Sequence, residues 1–479
     1  MKPLVAILIM CFMYTQVDVM GMSTEPYPKR NAYATIIYMG TPRDYEFFTA
    51  ARVLFQSLIK LKTDADLIVI ASRTIPQTWI KTLTYEGIIV KVVKDIPNPY
   101  AKNPKFERRF IFTLNKIHGW SLTEYERVVM LDVDNVFLRA PDELFQCGEF
   151  CAAFINPCIF HTGLFVLKPS NETFFKMLKE VHKKIPNKDG ADQGFLTSHF
   201  HDLLDRPLFH PPIDGTERLT GLYRLPESYQ MDAALYYLNL KWHTPCGLNS
   251  AITFPSIPML KPWFWWSYPI LPLGILWHEK RLETIGYHSD IHILIIQVCF
   301  YLFCLSVTLF IQRRSPYALV SERSSSTKMC MNRSHFVEQS PCHPIVRKSI
   351  IMIILILSYI LPFSIVPTTI HPILGWANFL LGSLTFLVIT INLFKLNILP
   401  VMIPWLEGFG MLLVMFWPYH SSGISRSLIM TTYAFLSSPS LWWCFKKLFI
   451  SPNGSESWEP LMTRTTSKHD VVTESSKLC

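Results

Sequence analysis

Asp132 and Asp134 stand two residues apart at the end of the apolar run Val128-Val129-Met130-Leu131. In an extended strand, side chains at i and i+2 point to the same side. Both carboxylates can therefore be offered to one hard divalent cation, which prefers oxygen ligands and commonly shares them with a substrate's phosphates. The dipeptide spacing alone is weak evidence, because acidic residues also crowd ordinary exposed turns. Its weight comes from what surrounds it.

The elements that must position the pair alternate along the chain. Ala34 to Tyr38 reads as a buried strand, and Asp44 to Lys60 as a helix with Phe47, Ala51, Leu54, Leu58 and Leu61 at helical spacing. Asp66 to Ala71 is a second strand, Pro76 to Tyr85 a helix and Ile88 to Val93 a third strand. Such alternation predicts a parallel sheet covered by helices, with ligands gathered at the carboxyl ends of its strands. The aspartates end a later strand and so fall on that edge. A second group of polar residues runs from Phe150 to Thr197, and a Pro- and Trp-rich stretch from Pro255 to Trp277. No internal repeat is evident.

Half of the chain's 479 residues are hydrophobic, and they are unevenly spread. Apolar runs occupy Ile291 to Gln312, Ser349 to Thr368, Ile373 to Phe394, Ile398 to Trp417 and Ser427 to Phe445. Each is near the roughly 20 residues a helix needs to cross a bilayer, which predicts five spans. Met1-Lys2-Pro3 followed by an apolar run from Leu4 to Tyr14 reads as a secretory signal over residues 1–22, with an uncleaved anchor as the alternative. The net charge of +9 is no nucleic-acid footprint. Arg313, Arg314, Arg323, Lys328, Arg333, Arg347 and Lys348 cluster between the first two spans, Lys395 follows the third, and Lys446 and Lys447 follow the fifth. By the positive-inside rule those segments are cytosolic, and the N-terminal half is lumenal or extracellular. Only Arg426 falls on the other side.

The cysteines agree with that division. Cys147, Cys151, Cys158 and Cys246 precede the spans, where disulfides are permitted. Cys147 and Cys151 have no matching second pair, which argues against zinc. Cys299, Cys304 and Cys444 read as apolar span residues. Asn171-Glu172-Thr173 is a glycosylation sequon on the lumenal side, whereas the Asn332 and Asn453 sequons would be cytosolic. Ser315 to Ser340 and Ser451 to Cys479 are polar and Ser-rich, as disordered segments are.

Five ordered blocks share a further pattern. They are Thr113-Leu114-Asn115-Lys116-Ile117-His118-Gly119-Trp120, Met130-Leu131-Asp132-Val133-Asp134, Phe160-His161-Thr162-Gly163-Leu164, Gly190-Ala191-Asp192-Gln193-Gly194 and Leu260-Lys261-Pro262-Trp263. In order and spacing they resemble glycosyltransferase family 8, the glycogenin-like enzymes, over roughly Ala32 to Trp266. The resemblance is nearest to the plant subgroup with multi-span C-termini, to which glucuronosyltransferase activity is ascribed. It implies an α/β GT-A (Rossmann-like) domain over residues 30–270, followed by an interfacial linker at 271–290. A five-span all-α membrane domain at 291–447 and a cytosolic tail at 448–479 would complete the chain.

The resemblance also implies a UDP-sugar donor, a manganese ion and transfer with retention in a Golgi or other endomembrane lumen, to a lipid or glycan acceptor. Asp132 and Asp134 would hold the metal, with Val133 between them against the donor. Lys261 would reach the phosphates, unless it only snorkels beside an aromatic belt. Asp192 and Gln193 would face the anomeric carbon, with Gly190 and Ala191 shaping the turn, although Asp192 also suits a helix N-cap. Lys116 approaches either the donor or the carboxylates, or is a surface lysine. Tyr38, Thr41 and Tyr45 occupy the loop that seats uridine, and Arg52 could reach a phosphate. Tyr236 and Tyr237 fall near the register of glycogenin's self-glucosylated tyrosine.

Two departures stand out. His161-Thr162-Gly163 replaces the family's Asn-Ser-Gly, which puts a larger, titratable ring beside the sugar. The family's third metal ligand, a histidine a few residues before Lys-Pro-Trp, is replaced by Thr253-Phe254-Pro255-Ser256-Ile257-Pro258. His243 and His278 are off-register. A cation could still be held by two aspartates, phosphate oxygens and water. The alternative is an impaired GT-A membrane scaffold. Trp263-Phe264-Trp265-Trp266-Ser267-Tyr268 suits a bilayer interface better than sugar stacking, and Glu407 is an acidic residue inside a span.

Overall fold

A computed structural model describes residues 30–104, 106–156, 159–212, 218–238, 249–254, 257, 259–324, 344–417 and 422–450. The signal segment, Cys158, Cys246, His243, Pro255, the Asn332 and Asn453 sequons and nearly all of the tail lie outside these residues. Contacts divide the chain into two compact units. One comprises residues 1–297 with the connectors 365–379 and 418–426, and the other comprises 298–364, 380–417 and 427–479.

The first unit opens with β1 (Ala32–Ile37), α1 (Asp44–Lys60), β2 (Asp66–Ser72), α2 (Gln77–Tyr85) and β3 (Ile89–Val93), close to the predicted bounds. A 3-10 stretch at Thr113–Ser121 leads to β4 (Val128–Leu131) and β5 (Asn135–Phe137). The hairpin of β6 (Phe150–Asn156) and β7 (Ile159–Leu167), α3 (Asn171–Lys183) and α4 (Asp192–His199) follow, and then β8 (Leu222–Leu225), β9 (Met231–Asp232), α5 (Ala233–Leu238) and β10 (Ala251–Thr253). The main sheet has seven strands in the order β3-β2-β1-β4-β7-β6-β8, and β5-β10-β9 form a small second sheet. It is mixed, as a GT-A-like fold requires. β3, β2, β1 and β4 are parallel, whereas β7 runs antiparallel to both β4 and β6.

This register decides where the site lies. Thr35 pairs with Leu131, and Leu131 with Leu164. The ends of β1 and β4 and the start of β7 therefore meet on one edge. Both faces of the central strands β1, β2 and β4 are covered, so these strands are largely apolar rather than alternating. One face packs Tyr33, Val69 and Val129 with Phe48, Leu54 and Phe55 of α1. The other packs Ala34, Ile68 and Met130 with Ile117, Trp120, Met177 of α3 and Phe195 of α4. A disulfide joins Cys147 to Cys151, both fully buried.

The segment expected as an interfacial linker is packed into this unit. α6 (Ile275–Glu283) buries Trp277, His278 and Arg281. Trp263 and Trp265 are 1% and 0% exposed, so the aromatic run is core rather than a belt. Trp263 meets Phe47 and Trp277, and Trp265 meets Trp376 and Phe379. Gly375 permits that approach, because a Cβ there would lie 2.6 Å from Trp265 Cγ. Thr368 of the same connector donates its hydroxyl to Glu46 Oε1 at 2.7 Å.

The helices α7 (His288–Ser324), α8 (Pro344–Ile365), α9 (Pro372–Phe394), α10 (Ile398–Phe416) and α11 (Gly423–Phe445) overlap the five apolar runs, and α7 continues over residues 315–324, where the sequence suggested disorder. Among the described residues, four are long and apolar enough to cross a membrane, and α11 is not one of them. Its polarity has a local cause within the second unit. Glu407 of α10 accepts hydrogen bonds from Tyr433 Oη (3.0 Å), Ser437 Oγ (2.7 Å) and Ser440 Oγ (2.9 Å) of α11. Hydroxyls on one helix thus solvate a carboxylate on its neighbour, the arrangement apolar surroundings demand.

Candidate active site

At the sheet edge, β1 ends in a loop organised by Asp44. Its carboxylate accepts from Gly40 N (2.9 Å), Thr41 N (3.0 Å) and Thr41 Oγ1 (2.7 Å). Tyr38 Oη donates to Arg109 O at 2.6 Å, tying this loop to the segment before the 3-10 stretch. After β4 the chain turns. Asp132 N donates to Gly163 O at 2.8 Å, and Asn135 Nδ2 donates to Asp132 O at 2.9 Å and Gly163 O at 2.6 Å. Asp132 and Asp134 therefore occupy the turn between β4 and β5 rather than one continuous strand, and they diverge to different lysines.

Lys116, 2% exposed, is the centre of the first pair. Its Nζ lies 2.7 Å from Asp132 Oδ1 and 2.7 Å from Asp192 Oδ2, and it donates to Thr162 O at 2.9 Å. Thr162 Oγ1 also donates to Asp192, at 2.6 Å. Burial alone would raise Asp192, but Lys116 and the hydroxyls of Thr162 and Thr113 outweigh it and hold the carboxyl below its ordinary range. For Asp132 burial prevails over Lys116, with Asp134 and Asp192 adding repulsion, and the carboxyl is pushed up to about 6. Burial lowers Lys116, yet its two carboxylates more than reverse that. Burial lowers the His161 imidazole.

Asp134 Oδ2 is ion-paired with Lys261. Its Oδ1 is buried and has no hydrogen-bond partner among the described residues. A buried carboxylate oxygen left unmatched is costly, and a cation beside it would repair the deficit. Among the described residues no three His, Cys, Asp or Glu side chains are arranged to hold a metal. Asp132 and Asp134 are the residues that could hold a cation at this edge, and the remaining positions would fall to phosphate and water.

These groups surround a cavity of about 360 Å3, in the range of a small-ligand site. Tyr38, Thr41, Lys116, Asp132, Val133, Asp134, His161, Thr162, Ala191, Asp192, Gln193 and Lys261 all line it. Gly163 and Gly190 support it from behind. Gly190 turns with φ +74°, where a side chain would also meet Phe106 at 3.0 Å. Tyr45 and Arg52 are not brought to the cavity. Tyr45 packs on Phe48 and Trp79, and Arg52 pairs with Glu86 beneath the Phe48 ring. Tyr237 Oη accepts from Leu273 N at 3.2 Å and also lies outside the lining. Sequence reasoning passed over Asp44, Phe47, Glu107, Arg109, Phe110 and Phe254, which do line it. The acidic opening of α1 and the Arg108-Arg109 pair just before the Lys116 block were the available signals.

Comparison with known proteins follows the same outline. Residues 289–461 match the family described as the PGSIP7 C-terminal domain. The Arabidopsis thaliana protein named "Putative glucuronosyltransferase PGSIP7" is 50% identical over 430 residues, covering 89% of this chain and 84% of that protein. Inositol phosphorylceramide glucuronosyltransferase 1 of the same plant is 28% identical over 57% of this chain and 52% of its own. Glycogenin-1 of Caenorhabditis elegans is 35% identical over 32% of each.

Proposed function

Because this chain belongs to the family of glycogenin-like glycosyltransferases that includes PGSIP7, we propose that it transfers a hexuronosyl group, glucuronate, from a UDP-sugar with retention of configuration. The acceptor is a lipid or a glycan. A relative named for inositol phosphorylceramide favours the lipid, as do four helices fit to span a membrane. The compartment is a Golgi or other endomembrane lumen. The buried Cys147–Cys151 disulfide suits such an oxidising space. So does the distribution of basic residues. The connectors 365–379 and 418–426 belong to the same unit as the cavity and are the ones that charge bias assigns to its side of the bilayer.

The observation that carries this reading is Asp134, which lines the cavity, pairs with Lys261 through one oxygen and has no hydrogen-bond partner among the described residues for the other. Asp132 and Asp134 would hold Mn2+, which supplies charge stabilisation for the departing diphosphate when bound. The remaining work belongs to the chain itself. Lys261 sets a point charge where phosphate oxygens would sit. Lys116 fixes the orientation of Asp192, which stays ionised and lines the cavity next to Gln193, where a transferred sugar would lie. Thr162 donates to the same Asp192 oxygen that Lys116 holds.

UDP release from UDP-glucuronate and UDP-glucose, measured with manganese and with chelator, tests the proposal. Manganese-dependent release is expected. The absence of release from any UDP-sugar would favour a scaffold, the reading that the missing third metal ligand supports.

A further inference from the structure

His161 lines the cavity, and its ring is held in a way that fixes which nitrogen bears the proton. Its Nδ1 lies 3.1 Å from Gly163 N and 2.5 Å from Gln230 Nε2. A backbone amide nitrogen always carries its hydrogen, so it donates and Nδ1 accepts. A ring nitrogen that accepts has no proton, and the single proton of the neutral imidazole is then on Nε2. Gln230, 1% exposed, must in turn present its NH2 group, which leaves its Oε1 buried without a partner among the described residues. Gly163 is part of the same lock. A Cβ there would sit 2.5 Å from His161 Cε1 and 2.7 Å from Gln230 Nε2.

Two consequences follow from the tautomer. An Nε2 that carries hydrogen has no free lone pair, so His161 does not replace the family's absent third metal ligand. It offers the cavity one N–H donor that cannot accept, and Nε2 has no partner among the described residues. Lys116 and Lys261 are already engaged by Asp132, Asp192 and Asp134. A donor-only group favours an ionised oxygen over a hydroxyl, because hydrogen bonds to charged acceptors are about twice as strong as neutral ones.

We propose that His161, held by Gln230 and Gly163 with its Nε2–H toward the cavity, recognises the carboxylate of the transferred uronosyl group and sets the preference for a nucleoside-diphosphate uronate over the neutral hexose. This rests on the nucleotide-sugar reading of the same cavity. His161 is the contacting residue, and Gln230 is a positioning residue that acts through it.

The test uses the full chain in detergent or lipid discs, as wild type, His161→Asn and Gln230→Leu. For each, kcat and KM are measured for UDP release from UDP-glucuronate and from UDP-glucose, together with UDP affinity and thermal unfolding. Both variants should keep UDP affinity while the glucuronate-to-glucose ratio of kcat/KM falls roughly tenfold. An unchanged ratio in either folded variant, or a wild type that prefers UDP-glucose, overturns the assignment while leaving the transferase reading intact. A wild type that binds no UDP removes both.

Discussion

The Lys116 ammonium lies 2.7 Å from the Asp192 carboxylate, and both groups are buried. Asp132 approaches the same nitrogen equally closely. One cation therefore fixes two acidic side chains from different elements, one at the sheet edge and one at the start of α4. Removing it strands two carboxylates. Lys116→Met should cost on the order of 3–5 kcal/mol of unfolding free energy and abolish UDP release. Adding Asp192→Asn should recover part of the stability, and a double-mutant cycle on thermal unfolding checks that coupling.

Asp134→Asn keeps the shape of the side chain and one carbonyl oxygen toward Lys261. Manganese-stimulated UDP release is expected to fall by a factor of 10² or more, the scale seen when a preorganised electrostatic group is lost, and the melting temperature should fall as well, because Lys261 loses its charged partner. Chelator should bring wild type down to the same level. Full manganese stimulation in the variant would remove Asp134 from the metal site.

His278 is wholly buried on α6. Its Nδ1 lies 2.7 Å from Tyr287 Oη. Burial lowers its pKa well below the usual value, and His371 and Arg281 push in the same direction. The unfolded chain titrates this ring near 6.5, so below that pH the unfolded state binds more protons and stability falls. The slope contributed is up to about 1.4 kcal/mol per pH unit. Relative to wild type, His278→Phe should flatten the pH dependence of unfolding between about 6.5 and 5.

Arg281 donates to Asp290 Oδ2 (2.7 Å), Thr369 O (2.6 Å) and Gly286 O (3.1 Å), and its guanidinium lies over the Tyr287 ring. Arg281→Met alone should destabilise by about 3–5 kcal/mol, since it leaves Asp290 charged and dry. Arg281→Met with Asp290→Leu should be much milder. Equal losses in the two variants would show that the pair's charge is not what matters.

Much of this was legible in the primary structure. The β1 to β3 alternation followed from apolar period and helix spacing, and the five blocks marked residues that do line one cavity. What was not legible depends on helical phase and on tertiary packing. Tyr45, Phe48 and Arg52 stand at i, i+3 and i+7, on a stripe that turns toward α2 and Glu86, whereas Asp44 and Phe47 face the cavity. Local sequence shows the stripe but not which neighbour it meets. The tryptophans at 263 and 265 carry the composition of a membrane belt, yet their partners, Trp277 and Trp376, lie downstream and close over them. Serine and tyrosine hydroxyls on α11 lowered its hydropathy for a reason visible only once Glu407 was beside them.

Glu46 and Trp265 find their covers, Thr368 and Trp376, more than a hundred residues further on. An amino-terminal half severed before the first hydrophobic helix would expose an indole and strip a carboxylate of its hydroxyl. Water-soluble expression of the amino-terminal half should therefore yield aggregates, and the catalyst has to be handled whole.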